Sequence, residues 1–196
     1  MSERFSGLKK VPDHPAARLL AAANAKLATT LKSPANAPVS VVLEELESNG
    51  DWVDMLRLIS VSLPPRECVW WACLAGRDVL GEQDVTTCLK AAETWVFEPS
   101  EDNRSKVQIA LETVDVDDDT TLCATAALYA PGTLGPGSLA EHTAPAGAVS
   151  STCFGMNIMA LDFLKLPIAE AADRLIDRGV DIARGGNGQS AKMKES

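Results

Sequence analysis

The chain has 196 residues, 46% hydrophobic and 23% charged, a balance suited to a folded soluble protein with one sizeable core rather than a disordered chain. Its 18 Lys+Arg stand against 27 Asp+Glu, for a net charge of −9 and a pI near 4.7. Basic side chains drive binding to nucleic acid and to anionic membranes, so this acidic balance excludes both as expected partners.

Residues 1–12 read as a flexible leader. Lys9 and Lys10 ahead of the Ala-rich stretch resemble an export signal, but Asp13 and Arg18 interrupt the apolar region, so the expected location is the cytoplasm. Asp13 and Pro15 start a predicted helix running to about Leu31. Lys32–Pro38 has the composition of a break. A helix from Pro38 places Val39, Val42, Leu43 and Leu46 at helical spacing, and Gly50 supplies its left-handed end. Asp51 caps the next helix, in which Trp52, Leu56, Ile59 and Leu63 share a face. The short connection implies antiparallel neighbours.

The stretch Leu63-Pro64-Pro65-Arg66-Glu67-Cys68-Val69-Trp70-Trp71-Ala72-Cys73-Leu74-Ala75 stands at the centre of the chain. Proline suits the first turn of a helix because its φ is already helical and its missing N–H costs no bond there. From Cys68 to Ala75 the helix is apolar on every side, which predicts burial by several neighbours. It is too short to span a bilayer. Trp70 and Trp71 point about 100° apart and must meet different partners.

The Leu-Pro-Pro-Arg-Glu-x-Val-Trp-Trp-Ala run resembles the signature of an uncharacterised bacterial family of small helical proteins, one of the domains of unknown function. Trp95-Val96-x-x-Pro99 with Arg104, and Tyr129-Ala130-Pro131-Gly132, are further points of similarity. The resemblance spans residues 37–184. It implies an accessory role, near secretion genes in some members, and brings no catalytic residues.

The double-Trp helix runs on to Leu80, with Gly81 as its stop. Glu82–Phe97 is predicted helical, with Val85, Leu89, Ala92 and Val96 on one face and Cys88 and Trp95 beside it. In 99–114, Val107, Ala110, Leu111 and Val114 fit a helix, while Val107, Ile109 and Leu111 also alternate as a strand would. Helix is the preferred reading because the flanking segments are helical. A small-residue helix follows at Thr120–Ala130. Residues 131–147 contain four Gly and three Pro and form a long loop. Two faces of the next helix are apolar, one with Val149, Cys153, Met156, Ala160 and Phe163, the other with Phe154, Ile158 and Leu161. The last helix, Ile168–Arg184, turns Ile168, Ala172, Leu175 and Ile182 inward and Glu170, Asp173, Arg174, Asp177, Arg178 and Asp181 to water, with a Glu170–Arg174 pair. Residues 185–196 read as a flexible tail.

Chemical motifs fail on inspection. An EF-hand loop begun at Asp115 needs Gly sixth and Glu twelfth, where this chain has Thr120 and Ala126. The Gly-rich segment at Gly132–Ser138 lacks the lysine of a P-loop. His14 and His142 are the two histidines and stand far apart, which argues against zinc and histidine base chemistry. Five cysteines without a C-x-x-C read as buried, reduced thiols. Arg66 and Glu67 form the one charged pair beside the apolar centre. They read as a helix start, Arg66 meeting an acidic neighbour, or else as a cleft binding an anion or a partner.

These readings add up to an all-α fold, an irregular bundle of eight or nine helices, either orthogonal or as stacked helix pairs, in one domain over 13–184. Trp70, Trp71, Trp52 and Trp95 are the expected core. Arg66 and Glu67 are the candidate binding residues, and no catalytic residue, metal or cofactor is expected. The expected function is a non-enzymatic protein-interaction or accessory role, with another protein as partner, no membrane insertion, and a homo-oligomer left open. The alternative is a small-molecule binder or enzyme with a pocket near Arg66 and the 131–147 loop.

Overall fold

A computed structural model describes residues 3–114 and 116–189. Among them are nine α-helices and no strand: α1 (Ala16–Ala22), α2 (Val39–Asn49), α3 (Trp52–Ser62), α4 (Pro65–Leu80), α5 (Thr87–Phe97), α6 (Glu101–Glu112), α7 (Thr121–Tyr129), α8 (Ala148–Phe163) and α9 (Ile168–Arg184). The fold is all-α, with packed helix pairs such as α2–α3, α5–α6 and α7–α8.

The central helix is α4. Pro64 precedes it and Pro65 is its first residue. It packs most extensively against α8 and also touches α5, α7 and α9, which is why no side of Cys68–Ala75 needs to be polar. The two adjacent indoles have different fates. Trp71 is fully enclosed and donates from Nε1 to the Leu175 carbonyl of α9 at 2.9 Å. Trp70 is half-buried at the surface and donates to the Asn187 carbonyl, also at 2.9 Å. Trp95 is buried and Trp52 half-buried.

Helix boundaries differ from the sequence reading where side chains divert the backbone. The first helix ends at Ala22, not Leu31, and Asn24 takes the left-handed φ of 50°. The chain beyond it is held by carboxylates rather than by helical bonds. Asp54, 4% exposed, accepts from the N–H groups of Ala28 and Thr29, and Glu45 accepts from those of Lys32 and Ser33. Helix α5 starts at Thr87 because Thr86 Oγ1 accepts from Leu89 N, which leaves Val85 outside and 42% exposed. Residues 101–112 are helix, not strand, capped by Ser100 Oγ accepting from Asn103 N.

In α9, Arg178 is 7% exposed rather than turned to water. It bonds Asp78 of α4, which also pairs with Arg174 at 3.6 Å in place of the expected Glu170 partner. Ile168, expected inside, is 61% exposed because it lies at the first turn of α9, and Phe163 at the end of α8 is likewise exposed. Only one face of α8 is fully buried, through Cys153, Met156, Asn157 and Ala160.

Residues 3–12, set outside the domain on composition, lie against α2 and α9. Phe5 is 1% exposed, Arg4 pairs with Glu47, Asp173 and Asp177, and Lys10 N bonds the Ala183 carbonyl. Of the segment read as a tail, 185–189 are described, and residues 190–196 lie outside the described residues. Asp115 of the acidic cluster also lies outside them.

Candidate functional site

Arg66 and Glu67 sit in the first turn of α4, and that turn opens onto a cleft of about 420 Å³. The volume lies within the usual range of ligand and side-chain pockets, about 300–1,000 Å³. Its aromatic wall is Trp70 from α4 and Phe97 from the last position of α5, edge to face with ring centroids 5.4 Å apart. Val96 and Ile182 add apolar surface, and Lys10, Asn187 and Gln189 complete the rim. Phe97 is 69% exposed, the largest apolar side chain left so open among the described residues.

The charges of this cleft are partly spoken for. Lys10 Nζ meets Glu67 Oε1 at 2.5 Å. Arg66 has no acidic partner among the described residues. Its Nε donates to the Val96 carbonyl at 2.6 Å, and its terminal nitrogen reaches the Phe97 carbonyl at 3.5 Å. The guanidinium thus covers the carbonyl end of α5, where a cation is favourable, and its charge is met by dipoles rather than by a carboxylate. The expectation that Arg66 meets an acidic neighbour is therefore corrected: the acidic group nearby belongs to Lys10.

Sequence reasoning missed Phe97 and Lys10. Phe97 carried a signal, since it falls on neither apolar face assigned to its helix. Lys10 carried none, because its approach to α4 depends on residues 3–12 folding back along α9.

A second cleft of about 320 Å³ flanks the other side of the α4 start. Leu19, Val61, Cys68, Tyr129 and Val149 line it with the loop residues Gly132, Ala144 and Pro145. The alternative reading joined Arg66 and the 131–147 loop in one pocket. Arg66 lines the first cleft and the loop lines the second. The loop itself is ordered by Arg104, which is 1% exposed and donates to the Leu128 carbonyl and to both oxygens of Thr133, each at 2.8 Å.

The five thiols are buried and unpaired by disulfides. Burial first, then a Cys123 neighbour, pushes the Cys73 thiol up, and burial with a Cys68 neighbour does the same to Cys153. Cys88 is pushed up to about 12 by burial and by Asp118. These shifts oppose thiolate formation, the reverse of what a catalytic cysteine needs. Among the described residues no group of three or more His, Cys, Asp or Glu is placed to hold a metal ion. Asp118 accepts instead from the N–H and hydroxyl of Thr120 at the start of α7. Among the described residues no helix is long and apolar enough to cross a membrane.

An all-α body, nine-helix over the described residues, with a centrally packed, proline-started helix and an aromatic cleft at its first turn is the class of protein that fold and site define. The chain belongs to a family of unknown function (DUF6931), whose model matches residues 42–183. No curated protein and no solved structure matches it.

Proposed function

We propose that this protein is a non-enzymatic interaction or accessory protein of the bacterial cytoplasm, secretion-associated as the motif resemblance implies, and that it docks another protein at the cleft beside α4. The observation carrying this reading is the Trp70–Phe97 pair. An aromatic side chain 69% exposed, braced by a second ring and bordered by an arginine, is the composition of interaction hot spots. The raised thiol pKa values support a structural role for the cysteines, and five unpaired thiols suit a reducing compartment.

The test is co-purification of the tagged full chain with its partner, compared with Phe97→Ala. Phe97 is so exposed that the variant keeps its fold and melting temperature, while the captured partner is lost. Capture unchanged by Phe97→Ala would reject this cleft as the docking site.

The second cleft favours the alternative, a small-molecule binder, because its lining is mostly apolar with a single tyrosine at its edge. A ligand retained through purification and seen by native mass spectrometry would select that reading.

A further inference from the structure

The geometry points to the chemistry of the docked partner: a peptide segment that places a large apolar side chain against Trp70 and Phe97 and an adjacent Asp or Glu on Arg66. This rests on the docking reading above and adds to it the partner's charge. Three ionisable side chains line the cleft, Lys10, Arg66 and Glu67. Lys10 and Glu67 neutralise each other at 2.5 Å. The cleft therefore keeps one net positive charge on a chain whose total is −9. That charge is Arg66, held in place by two neutral carbonyls that consume donors without cancelling the cation.

Arg66 brings this charge to the cleft from the first turn of α4. A carboxylate beside Arg66 gains a charge-assisted bond, and a lysine there meets repulsion from the guanidinium. The volume of about 420 Å³ fits an anchoring side chain and its neighbours rather than a flat protein face. Selectivity then comes from Arg66 and affinity from the aromatic wall.

Three labelled eight-residue peptide pools test this by fluorescence anisotropy on the full chain. All share a central Phe or Leu, flanked by Asp/Glu, by Ser/Gln, or by Lys/Arg. The acidic pool is expected to bind at least about tenfold tighter than the neutral one, the scale of one hydrogen bond to a charged group. Arg66→Gln, which can still donate to the Val96 carbonyl, should erase that preference without changing the melting temperature. Phe97→Ala should weaken the acidic and neutral pools alike.

Equal binding of acidic and neutral pools, or an acidic preference that survives Arg66→Gln, overturns the charge assignment while the docking reading stands. Binding by no pool, or a self-association abolished by Phe97→Ala, overturns both.

Discussion

Gly179 lies where α9 packs against Ile59 of α3 and Trp71 of α4. A Cβ there would stand 2.7 Å from Cγ2 of Ile59 and 3.3 Å from Cε2 of Trp71. Ile59 is 4% exposed and Trp71 is fully enclosed, so neither can swing aside. In an unobstructed helix, Gly→Ala gains about 0.8–1 kcal/mol. Overpacking a filled core costs about 1–3 kcal/mol. Gly179→Ala should therefore lose roughly 0–2 kcal/mol, against the sign expected from helix propensity alone. Ile59→Ala by itself costs about 2–5 kcal/mol, and it removes the nearer of the two obstructions, leaving the indole of Trp71 at 3.3 Å. In that background Gly179→Ala should cost less than in the parent chain and recover at most about 1 kcal/mol. Urea unfolding followed by far-ultraviolet circular dichroism gives all four corners of the cycle, provided the m-values agree. If Gly179→Ala stabilises the parent chain, or changes stability equally in both backgrounds, the close approach is not as described. The contact matters for the cleft too, because it seats the end of α9, which presents Ile182, and the residues just beyond it, which bring Asn187 to Trp70.

Arg104→Ala should lower stability by at least about 3 kcal/mol, since it removes several hydrogen bonds from a buried cation, each worth about 1.5–3 kcal/mol. Limited proteolysis should show 131–147 cut sooner than in the parent. The backbone N–H of Lys32, then the Ser33 hydroxyl, holds the Glu45 carboxyl below its ordinary value of 4.5. Its folded value lies below its unfolded one, so its contribution is complete above about pH 4.5 and disappears as pH falls through the folded value. Glu45→Gln should flatten the acid side of the melting-temperature profile, and an unchanged slope there would refute the assignment. All five thiols should resist iodoacetamide in the native chain at mildly alkaline pH and react after guanidinium unfolding, which mass spectrometry counts directly.

Much of the helical framework was legible because its signals are local. Prolines at the start of α4, Gly50 with φ 76° after α2 and Ser100 ahead of α6 act through the backbone of a few residues. Errors arose where a distant group competes. The three alanines of 23–31 favour helix, yet Asp54 and Glu45 offer its neighbourhood other bonds. Arg178 belongs to the polar pattern of α9, and Asp78, a hundred residues away in the chain, draws it inside together with the Leu74 carbonyl.

The candidate site divides the same way. Arg66 and Glu67 stood out by sequence as charges beside an apolar run, but their partners did not. By itself the sequence determined that the fold is all-α and that its middle helix must be surrounded, since periodicity and capping are short-range properties. Tertiary structure alone decided that Trp71 is sealed while Trp70 meets solvent, that Lys10 neutralises Glu67, and that Phe97 stands open beside Arg66. Those outcomes depend on how α5, α9 and residues 3–12 converge, and convergence is set by the packing of the whole core rather than by any stretch of neighbouring residues.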